Sequence, residues 1–558
     1  MTLSYNNLLR NLALDYNNTL LHYTNIDSNH IKKIGCENVH RMSIANNIQK
    51  KDEHLQEIED EMLLIMMLRK RKRSDVARQQ LQSKKRGKYG KNTLYFTDPT
   101  TGQQCVMTYK HTQWWQNYVI NAQPDKLWWR KLFAKRFRLP YDNYLELVQM
   151  CINSPLLSQW SPLAYGKRHN KKQGAPIQLL VLCALRYLGR GWFLDDLAET
   201  VVISVETIRL FINKFVEFGA TTLYDKYVVQ PMTTSELEDC NKEFRIAGLA
   251  GCIGSTDATN VVYEKCIYIL RQLHLGYKVN HTARTFNLTV NHRRRILSST
   301  SGHPARFNDK TLIMYDRFVM KLKDGKFDKD FEFELYDFDD NGKEIKVRYS
   351  GCYVIVDNGY HKWSVTVPPM KSTDYRSEIR FSAWLESMRK DVECAFGILK
   401  GRWRVLKYGI RLWGLKRCDQ VWLTCCALHN WLLEIDGLAE GWETGVKSHW
   451  GTDPDNKNDI PFALKRLHKP MKNRRYDLSG MGCGNDIYSE TDDDSDSDND
   501  NGTDSIASAK DADGKVIVRK LSLELFRSKL IRHFGICFQK KILVWPKRIK
   551  PPKKEALK

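Results

Sequence analysis

Across its 558 residues the sequence has no CxxC pair, no internal repeat, no long apolar run and no secretory-type start. The longest apolar stretches, such as residues 179–185, fall far short of the roughly 20 residues a membrane span needs, so no membrane partner is expected. The opening MTLSYNNLLRNLALDYNN has no basic head leading into an apolar core and does not read as a signal peptide. The 14 cysteines are scattered. Several of them (Cys183, Cys425, Cys426) stand among apolar residues, where thiols behave as small buried hydrophobes. That usage predicts a reducing, intracellular setting without a structural zinc site.

Positive charge is abundant: 88 Lys and Arg against 65 Asp and Glu leave a formal balance of +23. This excess favours a polyanionic partner, nucleic acid before any other, and says nothing about fold. Hydrophobic residues make up 42% and aromatics 11%, enough for real cores and against global disorder.

Four regions differ in texture. Residues 1–92 read as a basic, largely disordered arm, with one amphipathic stretch near Ile58 to Leu68. Two basic clusters, Arg69-Lys70-Arg71-Lys72-Arg73 and Lys84-Lys85-Arg86, have the spacing of a bipartite nuclear import signal, which predicts a nuclear protein. Residues 125–235 are helical in pattern. Leu179, Leu180, Leu182 and Leu185 share a face behind Pro176, a short helix is expected over 193–200, and Ser204 caps a longer one over 205–218. In the last, Ile208, Phe211, Ile212, Phe215 and Val216 face inward, leaving Glu206, Arg209, Asn213 and Lys214 outside. A short helix, a tight turn and a longer helix with a polar outer face resemble a helix-turn-helix, in which Arg209, Asn213 and Lys214 would meet DNA. Residues 245–435 switch to strand-like runs (252–256, 286–290, 295–298, 347–356) followed by a helix over about 377–399, the pattern of a mixed α/β domain. Residues 440–558 read as a polar tail with a disordered acidic block at 490–504 and a basic end, although Leu521 to Phe534 has helical periodicity.

Three carboxylates stand out by context. Asp257 follows the apolar run 249–253, and Asp357 follows Tyr353-Val354-Ile355-Val356 and precedes a Gly-containing turn. Acids at the ends of neighbouring strands would point into one space. Glu393 borders the apolar stripe Trp384, Met388, Val392, Phe396, Leu399 and Trp403 of the long helix, and Gly397 one turn on would admit a bulky ligand. Three converging carboxylates suit hard divalent cations. Two such ions about 4 Å apart can drive phosphodiester displacement without an organic nucleophile. Each acid by itself is equally consistent with a helix cap or a surface charge.

The segments GCIGSTDATN (251–260), TFNLTVNHRRRILSSTSGHPARFND (285–309), YVIVDNGY (353–360), RKDVECAFGILKGRWRVL (389–406) and CCALHNWLLE (425–434) resemble PIF/Harbinger-type transposases of the DDE superfamily endonuclease family. FRLPYDNYLELV (137–148) and LCALRYLGRGWFLDDLAE (182–199) resemble the region preceding the catalytic domain in that family. The resemblance spans roughly 130–435. It implies an RNase H-like α/β catalytic domain behind a helix-turn-helix-like helical domain, flanked by disordered charged tails. It also implies a catalytic, metal-binding triad of Asp257, Asp357 and Glu393 with Mg²⁺ or Mn²⁺, two ions in all. The implied activity is cleavage of phosphodiester bonds at transposon ends and joining of the freed 3′-hydroxyl to target DNA. A Myb/SANT-like DNA-binding partner and a homo-oligomer go with it. Where many relatives carry a His three residues after the first Asp, this chain has Asn260.

Further candidates for contact with double-stranded DNA are Arg293, Arg294 and Arg295 after one strand and Lys400, Arg402 and Arg404 at the end of the long helix, all suited to backbone phosphates. Trp403 fits core packing better than base stacking, and His429 fits a structural role better than a ligand. The alternative to an enzyme is a domesticated, transposase-derived DNA-binding or scaffold protein without catalysis.

Overall fold

A computed structural model describes residues 95–97, 101–160, 175–276, 280–371, 373–436 and 506–546. The arm 1–92 with its import clusters, the acidic block 490–504 and the basic end from 547 lie outside the described residues. Among the described residues no helix is long and apolar enough to cross a membrane, and the cysteines are free thiols, most of them buried.

A small antiparallel ribbon, β1 (Tyr95–Thr97) with β2 (Gln104–Val106), precedes a helical unit. That unit comprises α1 (Leu127–Phe137), α2 (Tyr141–Asn153), α3 (Ile177–Arg190), α4 (Leu194–Val201) and α5 (Val205–Phe218). Pro176 immediately precedes α3, where its missing N–H is no loss, and the Ser204 hydroxyl accepts from the Thr207 amide to cap α5. Helix α5 buries Ile208, Phe211, Ile212, Phe215 and Val216, as its apolar spacing requires. Helix α6 (Thr234–Ile246), started by a Thr233/Glu236 capping box, leads into the sheet.

The central sheet is mixed. Strands β3 (Cys252–Val262), β4 (Ala283–Val290) and β5 (Ile296–Ser299) are antiparallel neighbours, and the short β6 (His303–Pro304) also pairs with β4. On the other side of β3 lie β9 (Tyr353–Ile355) and β10 (Thr366–Val367), both parallel. Helices α7 (Asp309–Met314) and α8 (Arg317–Lys323) and a hairpin, β7 (Glu332–Phe338) with β8 (Glu344–Ser350), fill the interval between β6 and β9. The run 347–356, read as one strand, is two: Gly351 at φ +101° turns the chain so that β8 stays with the hairpin and β9 enters the central sheet.

Three helices complete the fold after β10: the long α9 (Arg376–Arg402), the short α10 (Val405–Tyr408) and α11 (Leu415–Ile435). The segment read as part of a polar tail then departs from expectation. Residues 506–546 fold back, with β11 (Val516–Ile517) adding to β8 in parallel and α12 (Leu523–Gln539) burying Phe526, Leu530 and Phe534. Phe534 meets Trp384 of α9, Phe526 meets Tyr353 of β9 edge-on, and Trp545 packs edge-on against Trp384. The physical reason is that the Leu523, Phe526, Leu530 and Phe534 spacing makes a helix with one apolar face, which must be covered.

Two hydrophobic cores result. One joins the helical unit, α11 and the C-terminal half of α9 (Val392, Ala395, Leu399, Trp403). The other joins α6, the β7–β8 hairpin, β9, the N-terminal half of α9 (Phe381, Trp384, Leu385, Met388) and α12. No hydrophobic divide therefore separates the helical unit from the sheet domain. Because Phe526 is fully buried, Phe526→Ala is expected to destabilise the protein by about 3–5 kcal/mol. Urea denaturation would show this as a lowered midpoint; an unchanged midpoint would mean that α12 is not part of the second core.

Candidate active site

Asp257 lies within β3 and Asp357 follows β9. Ser255 pairs with Ile355 in parallel register, so two further residues bring Asp257 level with Asp357. Neighbouring strands lie about 4.8 Å apart. The charges of Asp357 and of Asp309, the first residue of α7, are close enough to push the Asp257 carboxyl upward. Burial contributes most to that shift. An amide hydrogen bond from Ala258 (2.8 Å) and the charge of Arg389 act against it, and the outcome is a value of about 6. In the same way the Asp357 carboxylate accepts from the Asn358 amide at 2.8 Å.

Glu393 comes from α9, which packs across β3. It stands where the helix passes from one core to the other, between Met388 and Val392 on the buried side and solvent on its own. One turn earlier on the helix is Arg389. Its guanidinium donates to Asp257 Oδ2 at 3.1 Å and to Glu393 Oε1 at 3.0 Å, and lies 3.5 Å from Glu386. The side chain is only 7% exposed, and the surrounding carboxylates raise its pKa against the effect of burial. A buried cation thus sits among the acids. Among the described residues no group of three or more His, Cys, Asp or Glu side chains stands at the spacing needed to hold a metal ion. Arg389 joins two of the three candidate acids in that arrangement.

A polar network supports the acids from below. The Tyr360 hydroxyl donates to Asn287 Oδ1 (2.8 Å), Asn287 Nδ2 donates to Asp316 Oδ2 (2.7 Å), and Asp316 Oδ1 caps α8 through the Phe318 and Val319 amides. Tyr360 follows Asp357 by one short turn and Asp316 lies between α7 and α8, so this network ties the turn after Asp357 to the C-terminal end of the helix that begins at Asp309. Gly397, expected to make room at Glu393, faces open space: a Cβ there would meet nothing within 4 Å. No packing within the chain calls for glycine there.

The candidate DNA contacts divide. Arg209 is held by Glu206 (2.6 Å), Lys214 by Glu217 (3.0 Å), and the carbonyl of Asn213 accepts from Arg417. Arg293 is turned inward to Asp239 and the fully buried Glu243, while Arg294 pairs with Asp391 and Arg295 with Glu434 nearer the surface. Lys400 points down the Glu393 side of α9 and donates to Thr259 Oγ1 (2.6 Å) and the Asn260 carbonyl (2.9 Å), tying the helix to β3 just beyond Asp257. Burial lowers its pKa. Arg402 is 3.4 Å from Asp436, and Arg404 precedes α10 half-buried. Trp403 is fully buried. His429, lowered to about 4 by burial, meets the Arg294 carbonyl at 2.9 Å, and its neighbour Asn430 bridges Tyr227 and Ile296. Asp337 of the hairpin is buried, but between Lys529 and Arg532.

Arg389, Asp309 and Asp316 were not singled out from the sequence. Arg389 precedes Glu393 by four residues, the spacing at which side chains on a helix meet, and that was the available signal. Asp309 ends the segment GHPARFND without an apolar strand in front of it, and nothing in the local pattern marks it.

Residues 256–430 match the family model described as DDE superfamily endonuclease. The match includes Asp257, Asp357 and Glu393. No curated protein and no solved structure matches the chain significantly.

The raised Asp257 pKa has a definite stability consequence. A folded-state carboxyl near 6 against an unfolded value near 3.9 means the native state binds more protons between those pH values. Its contribution is therefore present below about pH 4 and is lost as pH rises through about 6, by at most about 3 kcal/mol. In metal-free buffer Asp257→Asn should flatten this part of the stability–pH curve. An unaltered curve would show that Asp257 titrates normally.

Proposed function

We propose that the chain is a transposase-like, metal-dependent DNA endonuclease whose site is Asp257, Asp357 and Glu393. What supports this reading is that Asp257 lies in β3 and Asp357 just past the end of its parallel neighbour β9, with Glu393 joined to Asp257 through one guanidinium. The donors are oxygens only, as Mg²⁺ or Mn²⁺ prefers. Arg389 shows that the acids accept a positive charge between them; a metal ion there would need that side chain to turn away and the carboxylates to draw together.

Such ions, when bound, lower the pKa of a water molecule and stabilise charge on the phosphodiester oxygens. The chain's own groups do the rest. Asp257 and Asp357, held by amide hydrogen bonds, would hold the ions against which the phosphate is positioned. Glu393, the most exposed of the three, is placed to take the proton of the attacking water at its carboxylate. Lys400 holds α9 on β3, so that Glu393 and Asp257 keep their separation. The same displacement, with the freed 3′-hydroxyl as nucleophile, would join the cut end to target DNA. Action in the nucleus, a Myb/SANT-like protein for end recognition, and a homo-oligomer that pairs two ends belong to the same reading. The first rests on the basic clusters at 69–73 and 84–86, the others on the sequence resemblance.

One observation favours the non-catalytic reading, a domesticated scaffold: the Arg389 guanidinium closes the carboxylate pocket. Nicking of supercoiled plasmid with Mg²⁺ separates the two. The wild type is expected to nick, and Asp357→Asn to lose at least about a hundredfold in rate. DNA binding with no nicking by the wild type would sink the enzyme reading. Arg389→Gln removes the competing cation and is expected to tighten Mn²⁺ binding, followed by calorimetry, by about tenfold. Weaker or equal binding would mean that the arginine does not compete with metal.

A further inference from the structure

Three helices end close together, and each carries arginines there. Arg136 is in the last turn of α1 and Arg138 caps it; Arg186 and Arg190 are in the last turns of α3; Arg402 ends α9 and Arg404 precedes α10. Arg186 donates to the Arg136 carbonyl (3.1 Å) and Arg190 to the Lys135 carbonyl (3.2 Å), so the ends of α1 and α3 are in contact. Helix α10 packs on α3.

Cations are favourable at helix C-termini, and those two carbonyl contacts account for part of the arrangement. They do not account for six guanidinium groups in one place. Arg402 has a carboxylate 3.4 Å away, in Asp436, Arg136 meets the Tyr118 hydroxyl, and the Arg186 guanidinium lies over the Trp192 ring at 4.1 Å. Among the described residues no salt bridge joins Arg138, Arg186, Arg190 or Arg404 to an acid. The Nε–H groups of Arg138, Arg186 and Arg190 are shielded from water and have no hydrogen-bond partner. Arg138 adopts φ +66°, a cap position normally given to glycine or asparagine, and its stem lies where a Cβ on Gly189 would be 2.7 Å from Arg138 Cγ. Burial first, and then the charges of Arg190, Arg404 and Arg402, lower the Arg138 pKa; burial and then Arg190 and Arg136 bring Arg186 down to about 10. Backbone strain and mutual repulsion are thus both tolerated at one spot.

We propose that this arginine cluster is a phosphate-binding surface for the backbone of double-stranded DNA, separate from the carboxylate site. It rests on the DNA-cleaving reading of the domain for the choice of nucleic acid. The guanidinium fork matches phosphate oxygens two at a time and neutralises the like charges at once. Arg402 is nine residues beyond Glu393, about 13 Å along the helix and on its opposite side. A duplex held at the arginines is therefore gripped several phosphates away from the point of cleavage. None of these contacts reads a base, so the binding is indifferent to sequence.

The test uses the full chain, a fluorescein-labelled mixed-sequence 30-bp duplex (~30 bp, about three helical turns) and anisotropy in EDTA over a series of KCl concentrations. Each lost phosphate contact should lower the slope of log K against log salt by about 0.9. Arg404→Gln, which removes no hydrogen bond between helices, is expected to reduce the slope by about one such step. The double variant R186Q/R190Q is expected to reduce it by about two and to weaken binding at least tenfold, equally on an unrelated sequence, while R186K/R190K keeps the slope. Unchanged slopes in Arg404→Gln and in a folded R186Q/R190Q overturn the proposal, as does a loss confined to duplex RNA. If R186Q/R190Q does not fold, Arg404→Gln decides alone. A reduced slope in a chain that never nicks plasmid supports the arginine surface while removing the cleavage reading. Normal nicking with unchanged slopes overturns the arginine surface alone.

Discussion

The contact between Arg389 and the carboxylates of Asp257 and Glu393 sets the terms for the whole site. Without a cation, acids at the end of a buried sheet would repel one another and resist desolvation. The guanidinium offsets both effects, and it reaches both acids because α9 crosses β3 at this point. That crossing depends in turn on two cores: one grips the first half of the helix, the other its second half. Arg389 and Glu393 sit at the seam between them. The site is thus held in place by packing on either side of it, although none of its own groups is apolar.

The seam also explains why the helical unit and the sheet behave as one body. Helix α11 contributes Trp422, stacked on Phe286 of the sheet, and Thr424, whose hydroxyl bonds the α5 backbone at Val216. Arg417 reaches Asn213 and Glu217 on α5. The charged outer face of α5 is therefore partly spent on holding α11. A helix-turn-helix that reads a groove keeps its outer side chains free, whereas Arg209 and Lys214 are each paired with a glutamate one turn away. Exposed pairs of that kind are weak, worth about 0.3–0.5 kcal/mol, so they mark a resting arrangement and set no barrier to other partners.

Much of this was legible in the sequence because the signals were local. Helix α5 matches the span expected from its cap and its apolar spacing, and α9 exceeds its expected span by a few residues at its C-terminal end. The strands that carry Asp257 and lead to Asp357 were marked by their apolar runs, although Asp257 lies in the middle of β3 and not at its end as expected, and the family model matches residues 256–430. What stayed hidden depends on distant partners. The last segment has an amphipathic helix that a local reading detects, but the surface covering its apolar face is β7, β9 and the start of α9, well over a hundred residues upstream. Arg293, Arg294 and Arg295 read as a basic run free for phosphate, because their acidic partners (Glu243, Asp391, Glu434) come from three other helices. Arg138 and Arg190 were passed over for the same reason: the charge that matters is brought together by the fold and is not a run in the chain.

The return of residues 506–546 to the second core has a consequence for how the protein is made. Strand β9 and the first half of α9, which position Asp357 and Arg389, are covered by the last described helix and by Trp545. During synthesis at the ribosome the sheet and α9 emerge long before that cover does, so the pocket cannot be completed until nearly all of the described chain is out. A nascent or prematurely terminated polypeptide would carry every one of the three acids and still lack the wall that aligns them. The fold thereby couples the alignment of these acids to the arrival of its closing helix.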